Sequence, residues 1–467
     1  MRTAIKDKAA ALYARRLPES VFSSREIIQM LVPVILDSLS IMFINMLIVA
    51  LIGRSGETSV AAVNLVSPIT GLITCLFNSI SAAGTVVVAR AWGMGGKDQL
   101  SRTAGHILWL TFTAGAVFCL PCMFFPRPII HLFYPTAEPV VLEKAVGYLA
   151  GCALSILIFT VYMGVFCILR GLGESRRCLV LTIIINVSYL LFSFLFINIL
   201  EMDIQGSALA LILARVLGSA AGVVLLFWWE PPVRLHLRDM LSLDGPLLRS
   251  IFQISAPFCI EQLFANGGSL IMTMFMAPLG TTAIAAHAVA GSLMGLIHGA
   301  GTAAATLSVT VVGRCIGAGR TEEARKYGAG MNWLARVLAA AASMIIYPLS
   351  PLLLRLYNPS PETYSLALRL LVCTLPSLLL FWPLSNTLPN TLRAAGDTVF
   401  PSVMSLLVMW SVRVALGYWL TVPLGLGIMG VWISMWIEWA VRALCLKLRF
   451  SHGKWAGKVP AAEGSAV

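Results

Sequence analysis

Long apolar segments separated by short polar ones make up most of this chain. Each apolar segment is long enough for a helix to cross a hydrocarbon core of about 30 Å, which takes about 20 residues. Barrel-forming strands would appear as short alternating segments, and none are found, so the pattern predicts an all-α integral membrane protein. The predicted helices are 26–52, 58–89, 104–125, 139–169, 178–200, 206–229, 249–277, 282–313, 330–356, 363–392, 399–422 and 427–448.

The two halves of the chain are related by an internal repeat. The stretch from Pro33 to Gly95 recurs without a gap from Pro257 to Gly319, 224 residues later. A second element, L-R-G-L-G-E at 169–174, recurs as L-R-A-A-G-D at 392–397 with an offset of 223. Repeated halves are the usual build of secondary transporters. We therefore predict twelve transmembrane helices in two six-helix lobes, related by a pseudo-two-fold axis along the membrane normal.

The lobe boundaries follow from the polar stretches. We predict an N-lobe at 26–229 and a C-lobe at 249–449, joined by a cytoplasmic linker at 230–248. A cytoplasmic N-terminal segment, 1–25, and a cytoplasmic tail, 450–467, complete the chain. Glycine permits a tight corner in each L-R-x-x-G element, and we interpret the arginine and acid of each corner as anchors at the lipid headgroups.

Composition and charge place the chain in a membrane. Hydrophobic residues make up 58% of the chain and charged residues 12%. The net charge of +12 raises the possibility of nucleic-acid binding. However, the basic residues collect at the N-terminus and in alternate loops, as in the cytoplasmic loops of membrane proteins. We expect a bacterial inner membrane protein with both termini in the cytoplasm, the lipid bilayer as partner and no nucleic acid.

Two acidic residues occupy equivalent repeat positions inside predicted helices. Asp37 and Glu261 each follow the matched proline by four residues. Counting from the predicted helix starts at 1.5 Å per residue places them about 16–18 Å deep, near mid-bilayer. A carboxylate there costs at least about 2.5 kcal/mol unless it is neutralised or paired, so each should face a cavity or a partner. We predict Glu261 as the first candidate for a coupling-ion site, Asp37 as the second, with Gln262 and Asn266 as polar neighbours.

Other polar residues within helices have a structural and a functional interpretation. Glu438 precedes Arg442 by four residues, the spacing of facing neighbours on a helix, which favours an ion pair over a transport role. Arg413 and Arg215 are expected to extend toward the membrane surface. Two asparagines one turn apart on the tenth predicted helix are candidates for the lining of a C-lobe cavity: Asn386 and Asn390.

Taken together, these features resemble one known transporter family. The 6 + 6 plan, the R-x-x-G-x-G element at 90–95 and again at 314–319, and the two corners are similar to the multidrug and toxic compound extrusion (MATE) family over about residues 26–449. The resemblance implies a V-shaped pair of helix bundles. It also implies an antiporter that expels amphiphilic, often cationic compounds in exchange for inward sodium ions or protons.

The chain departs from the family pattern at the positions associated with coupling. The family's aspartate on the first helix corresponds to Ile48, and its Asn and Asp on the fifth helix correspond to Tyr189 and Ser193. Asn186, one turn earlier, is retained, whereas the tenth helix has no acid between 366 and 392. The usual N-lobe cation site therefore lacks its acids, and Asn186 is the remaining candidate there.

Two functions stay open. The first is a secondary active antiporter that exports amphiphilic, cationic drugs or metabolites in exchange for protons or sodium ions. The second is a flippase for a lipid-linked saccharide or another amphiphilic lipid, which should have a basic cavity to receive phosphates; the acids within the helices favour cationic cargo. An enzyme would need clustered catalytic residues, and the sequence has no such cluster. We expect a monomer with no soluble cofactor, driven by a proton or sodium gradient.

Overall fold

The computed structural model describes residues 21–52, 57–135, 138–227, 245–355, 357, 359–453 and 455. Most of the predicted N-terminal segment, of the linker and of the tail lies outside these residues. The described part of the chain is built from helices joined by short turns and contains no strand. The predicted all-α membrane fold is therefore confirmed.

The six predicted helices of the first half are present, and the structure adds a short helix that was not predicted, Pro126–Phe133. Prolines stand at the first position of two of them, where a missing N–H costs nothing. A π-helical segment, Phe194–Ile199, follows the sixth. In chain order the helices are α1 (Ser24–Ile52), α2 (Glu57–Met94), α3 (Lys97–Phe124), α4 (Pro126–Phe133), α5 (Pro139–Leu172), α6 (Ser175–Ser193) and α7 (Asp203–Phe227).

The second half differs from the prediction at the tenth and eleventh predicted helices. The predicted tenth helix, 363–392, is two helices that meet at Phe381. A second π-helical segment, Met409–Leu416, interrupts the predicted eleventh helix. In chain order the helices are α8 (Gly245–Met276), α9 (Thr281–Gly317), α10 (Thr321–Arg355), α11 (Pro361–Leu380), α12 (Trp382–Ala394), α13 (Val399–Val408), α14 (Gly417–Thr421) and α15 (Ile428–Ser451).

Ten stretches of the described chain are long and apolar enough to cross a membrane as helices. The two remaining predicted crossings are α1 and α8, which have 29 and 32 residues. At 1.5 Å per residue these helices are about 44 and 48 Å long, more than the hydrocarbon thickness of about 30 Å. Length therefore allows both to span, and together with the ten stretches they account for twelve crossings.

Contacts divide the chain into two compact units. The N-terminal unit is Leu36–Ser255, and the C-terminal unit contains the residues up to Ile35 together with those from Ala256 onward. Both divisions fall inside helices, within a few residues of the repeated prolines Pro33 and Pro257. The predicted lobe boundaries at 26–229 and 249–449 stay predictions.

Within each unit a single long helix is central. In the N-terminal unit α5 packs against α2, α3 and α7, and α6 packs on α7. In the C-terminal unit α9 packs against α10, α11 and α12, and α15 packs against α12. The start of the described chain also belongs to the C-terminal unit, because Phe22 donates its N–H to the Tyr327 hydroxyl at 3.0 Å and Ile27 and Leu31 join the core there.

Candidate functional site

Glu261 of α8 forms an ion pair with Arg393, which lies in the last turn of α12. The guanidinium Nη2 donates to Glu261 Oε2, and both side chains are about nine-tenths buried, with exposed fractions of 8% for Arg393 and 11% for Glu261. Arg393 also donates from Nη1 to Asn390 Oδ1 at 3.2 Å and lies over the Phe258 ring, 4.2 Å from its centroid. The first candidate for ion coupling is therefore already paired with a fixed cation of the protein.

Glu438 of α15 pairs with two arginines. Its Oε1 lies 3.2 Å from Arg442 Nη1, the pair expected from the four-residue spacing, and its Oε2 lies 3.0 Å from Arg413 Nη1. Arg413 projects from the π-helical segment, so it does not extend to the membrane surface as the sequence suggested. Arg442 continues the network by donating from Nη2 to Ser385 Oγ at 3.2 Å.

The two glutamates face one small cavity of the C-terminal unit. Its volume is about 120 Å³, and Glu261, Glu438, Arg413 and Arg442 supply its charged lining. A water molecule occupies roughly 30 Å³ of liquid, so the cavity holds about four waters or a hydrated ion, far less than a drug-sized pocket of roughly 300–1,000 Å³. Two glutamates and two arginines line the cavity, and Arg393 pairs with Glu261 beside it, so the lining is not acidic overall. The expectation that acids dominate this region was wrong, because each acid is matched by an arginine from a neighbouring helix or the same helix.

The N-terminal unit contains the repeat-related ion pair. Asp37 of α1 is buried, and its Oδ2 lies 3.6 Å from Arg170 Nη2, at the end of α5. Arg170 lies over the Phe166 ring at 4.5 Å. Asp37 corresponds to Glu261 and Arg170 to Arg393 in the two repeats. The corner arginines therefore bind the repeated acids and do not anchor to headgroups, a pairing that the joint recurrence of acid and arginine in both halves could have indicated.

This pairing also shows where the acids lie relative to the corners of the chain. Arg170 lies two residues before the end of α5, and Arg393 one residue before the end of α12. The acids are thus level with the corner ends of these helices and not with their middles. The mid-bilayer position was counted from the helix starts, and it stays a prediction.

The remaining predicted polar residues have local partners or none. Asn266 donates to the carbonyl of Gln262 at 3.0 Å within α8, and Asn386 donates to Thr302 Oγ1 at 3.2 Å. Gln262 is half-buried beside Glu261. Asn186 belongs to the N-terminal unit, where its buried Nδ2 has no hydrogen-bond partner among the described residues. The structure thus brings Glu261, Glu438 and, through Arg393, Asn390 together.

Arg215 was expected to extend toward a membrane surface, and it does not. It lies at the middle of α7, twelve residues from each end. Its Nη1 donates to Ser155 Oγ of α5 at 2.6 Å, and its guanidinium lies over the Phe159 ring at 4.5 Å. Hydropathy alone could not reveal this, because the direction of a long side chain depends on the helix packed beside it.

An all-helical membrane protein built from repeated halves, with buried ion pairs at equivalent positions in both, belongs to the class of polytopic secondary transporters. The MatE family model matches residues 33–195 and 257–419, two stretches that start 224 residues apart, as the repeat does. The chain therefore belongs to the multidrug and toxic compound extrusion family. The residues matched cover both halves and include Asp37, Glu261 and Arg170.

Individual relatives agree with this assignment. The chain is 25% identical over 439 residues to the uncharacterized transporter YisQ of Bacillus subtilis, covering 91% of this chain and 94% of YisQ. It is 22% identical to the probable multidrug resistance protein NorM of Thermotoga maritima, over 92% of this chain and 93% of the relative. A solved MOP superfamily transporter from Pyrococcus furiosus, described as having a binding pocket of reverse polarity, superposes with a TM-score of 0.82 at 21% identity, over 91% of this chain and 96% of that one.

Proposed function

We propose that this protein is a secondary active antiporter that exports amphiphilic small molecules by alternating access, in exchange for inward protons or sodium ions. Family membership and the names of the relatives support export of drugs or metabolites. Glu261 is the proposed coupling residue. The observation that carries this assignment is its buried ion pair with Arg393 at the edge of a small cavity.

The proposed coupling step follows from the chemistry of that pair. When Glu261 accepts a proton, or binds a sodium ion, its carboxylate no longer neutralises Arg393. A buried charge that loses its partner is strongly unfavourable, by roughly 3–5 kcal/mol. The pair joins α8 to α12, and the break at Phe381 separates α12 from α11. Movement of α12 could therefore relieve the cost of the unpaired Arg393. Ion binding would thus change which conformation of the C-terminal unit is favoured.

The proposal predicts that Glu261→Gln abolishes gradient-driven transport while the protein still inserts into the membrane. The test reconstitutes wild type and variant in liposomes, imposes a pH or sodium gradient, and follows uptake of a fluorescent organic cation. Glu362→Gln is the matched control, because Glu362 lies in the exposed first turn of α11, outside the cavity. Uptake by Glu261→Gln at the wild-type rate would overturn the assignment of the coupling site.

The charge of the cargo is a separate matter. Cationic cargo was predicted from the sequence because acids dominate the predicted helix interiors, but in the C-terminal unit those acids are paired with three arginines. These arginines could serve as the basic partners that phosphates need, which supports the second candidate, a flippase for a lipid-linked saccharide or similar amphiphile. The Pyrococcus furiosus neighbour supports the idea that pocket polarity varies within this fold. Transbilayer movement of a labelled lipid without any ion gradient, together with no uptake of the organic cation, would favour the flippase.

A further inference from the structure

Arg215 differs from the other arginines described above in lacking a carboxylate partner. It lies at the middle of α7, a 25-residue apolar helix. Four ion pairs occur among the described residues of the N-terminal unit, and Arg215 takes part in none of them. Within the C-terminal unit, by contrast, Arg393, Arg413 and Arg442 each face a carboxylate. A guanidinium deep in a membrane helix is costly unless a counter-charge or water accompanies it, so this position calls for an anion.

The neighbours of Arg215 are polar but uncharged. The titratable groups that interact with it electrostatically are the thiols of Cys119 and Cys152 and the hydroxyls of Tyr148 and Tyr189, which are neutral near pH 7. Ser155 accepts one of its hydrogen bonds. The local charge is therefore +1, and no carboxylate offsets it among the described residues.

Hydrogen-bond donors without partners occur on the adjacent helix. Tyr189 lies on α6, which packs along α7. Asn186, three residues earlier, and Ser193, four residues later, share its face of the helix. Asn186 Nδ2 and Ser193 Oγ are buried polar atoms with no hydrogen-bond partner among the described residues, and Ser193 is fully buried. Buried polar groups are normally paired, so two unpaired donors on the face that carries Tyr189 point to a ligand that accepts hydrogen bonds.

This arrangement has the opposite polarity to the cation site that the family resemblance implied for the same helix. Where an Asn and an Asp were expected, the chain has Tyr189 and Ser193, and the neighbouring helix contributes an arginine. A cation would meet an unneutralised guanidinium here. An oxyanion would meet that guanidinium, which can bind it in a bidentate fashion, together with hydroxyl and amide donors.

We infer that the N-terminal unit contains an anion-binding site centred on Arg215, which takes the carboxylate, sulfonate or phosphate group of an amphiphilic ligand. Arg215 binds the oxyanion, and Asn186, Tyr189 and Ser193 lie on the helix face that supplies further donors. The same chemistry serves a free organic anion and the headgroup of an anionic lipid. The inference concerns binding within one unit and does not depend on the assignment of Glu261 as the coupling residue.

The test compares an anion with a cation of the same size. Binding of 2-naphthoate and of a naphthyl-trimethylammonium ion to the purified full-length protein, in nanodiscs of phosphatidylcholine alone, is measured by titration calorimetry. Loss of a charge-assisted bidentate contact predicts that Arg215→Gln binds naphthoate at least about tenfold more weakly than wild type. Arg215→Lys, which keeps the charge, should recover most of the affinity, and the cation should bind all variants alike. Arg355→Gln is the matched control, because Arg355 is exposed at the end of α10.

Equal naphthoate affinity in wild type and Arg215→Gln, or no naphthoate binding to wild type, would overturn the inference. If Arg215→Gln does not fold, thermal unfolding of wild type decides: naphthoate should raise the unfolding temperature and the matched cation should not. Nanodiscs with added phosphatidylglycerol distinguish the two sources. Competition of that lipid with naphthoate for wild type and for Arg215→Lys would assign the site to a lipid headgroup; undiminished naphthoate binding would assign it to a free anion.

The assay also separates this inference from the proposed antiport. Binding is measured without any gradient, and Glu261→Gln should bind naphthoate with wild-type affinity, since Glu261 belongs to the other unit. Failure of gradient-driven uptake would leave the binding result unchanged.

Discussion

At the scale of single residues, the acids inside the membrane helices are stabilised by arginines. Asp37 pairs with Arg170, and Glu261 with Arg393. Asp397, between α12 and α13, is fully buried, and its Oδ2 accepts a hydrogen bond at 2.7 Å from Nε of Arg449, near the end of α15. An unpaired carboxylate in this environment would be several kcal/mol less favourable. Each arginine therefore allows an acid to be retained in an apolar region, and the pairs of Asp37 and Glu261 each link two helices.

The Asp37–Arg170 pair yields a stability prediction. Arg170→Gln leaves a buried carboxylate without its cation, and we expect it to lower the free energy of unfolding by about 3 kcal/mol. The double variant Asp37→Asn/Arg170→Gln should recover most of that loss, because no charge is left buried. Unfolding in detergent, followed by tryptophan fluorescence, measures both.

The matched control for this prediction is Arg127→Gln. Arg127 pairs with Glu143 at 3.0 Å, but the side chains are 65% and 72% exposed, and such surface pairs contribute less than about 1 kcal/mol. If the double variant is as unstable as Arg170→Gln alone, the loss of stability does not come from an unpaired Asp37 carboxylate.

At the scale of helices, the break between α11 and α12 is a feature that the sequence pattern did not predict. Apolar periodicity continues through 363–392, so one helix was predicted. Pro383 has no N–H to donate to the preceding turn, and the chain starts a new helix at Trp382. The Trp382 ring stacks on His298 at 4.2 Å, with an angle of 5° between the planes. Whether a proline bends a helix or ends it depends on such tertiary contacts.

The same reasoning explains which parts of the site could be predicted. The helices, the repeat and the positions of Asp37 and Glu261 follow from local pattern, and these were predicted. The partners of the acids depend on which way Arg170, Arg393 and Arg413 reach, which is decided by helices distant in sequence. Their directions were therefore predicted wrongly, as headgroup anchors or as side chains extending to the surface. The Ile48 side chain lies outside the described residues, so its role is still a prediction from the family resemblance.

Close packing at the α9–α12 contact gives a second stability prediction. A Cβ added at Gly301 would overlap the ring of Trp382, which is itself buried. We expect Gly301→Ala to destabilise the protein by about 1–3 kcal/mol, because a well-packed interior must shift to admit the methyl group. Gly291→Ala, on the same helix, meets nothing within 4 Å and should be neutral or slightly stabilising, by up to about 1 kcal/mol. Thermal unfolding of the two variants checks this, and equal midpoints would contradict it.

At the scale of the whole molecule, the two units share one backbone plan and differ in chemistry. Equivalent glycines end equivalent helices with positive φ: Gly95 at +80° and Gly319 at +72°, then Gly173 at +85° and Gly396 at +101°. Only glycine adopts this conformation without strain, so the repeat keeps the corners while other residues diverge. The N-terminal unit contains Arg215 without an acid, whereas the C-terminal unit contains Glu438 between two arginines. The two repeats thus keep the same helix ends, whereas the charged residues within each unit differ.

The orientation of this frame in the membrane is the remaining prediction. The excess of basic residues in alternate loops predicts that the corner at 173–174 is cytoplasmic and the start of α5 is external. The test uses a Cys373→Ser parent protein, because Cys373 is the one exposed cysteine among the described residues. In this parent, Glu138→Cys places a thiol at the start of α5, and Arg176→Cys places one beside the 173–174 corner. Both positions are exposed. A membrane-impermeant maleimide added to intact cells should label Glu138→Cys and should reach Arg176→Cys only after the cells are opened, with the parent Cys373→Ser protein unlabelled. Because an even number of crossings puts both termini on the side of the 173–174 corner, the reverse labelling pattern would place the termini outside the cell and invert the direction of the proposed export.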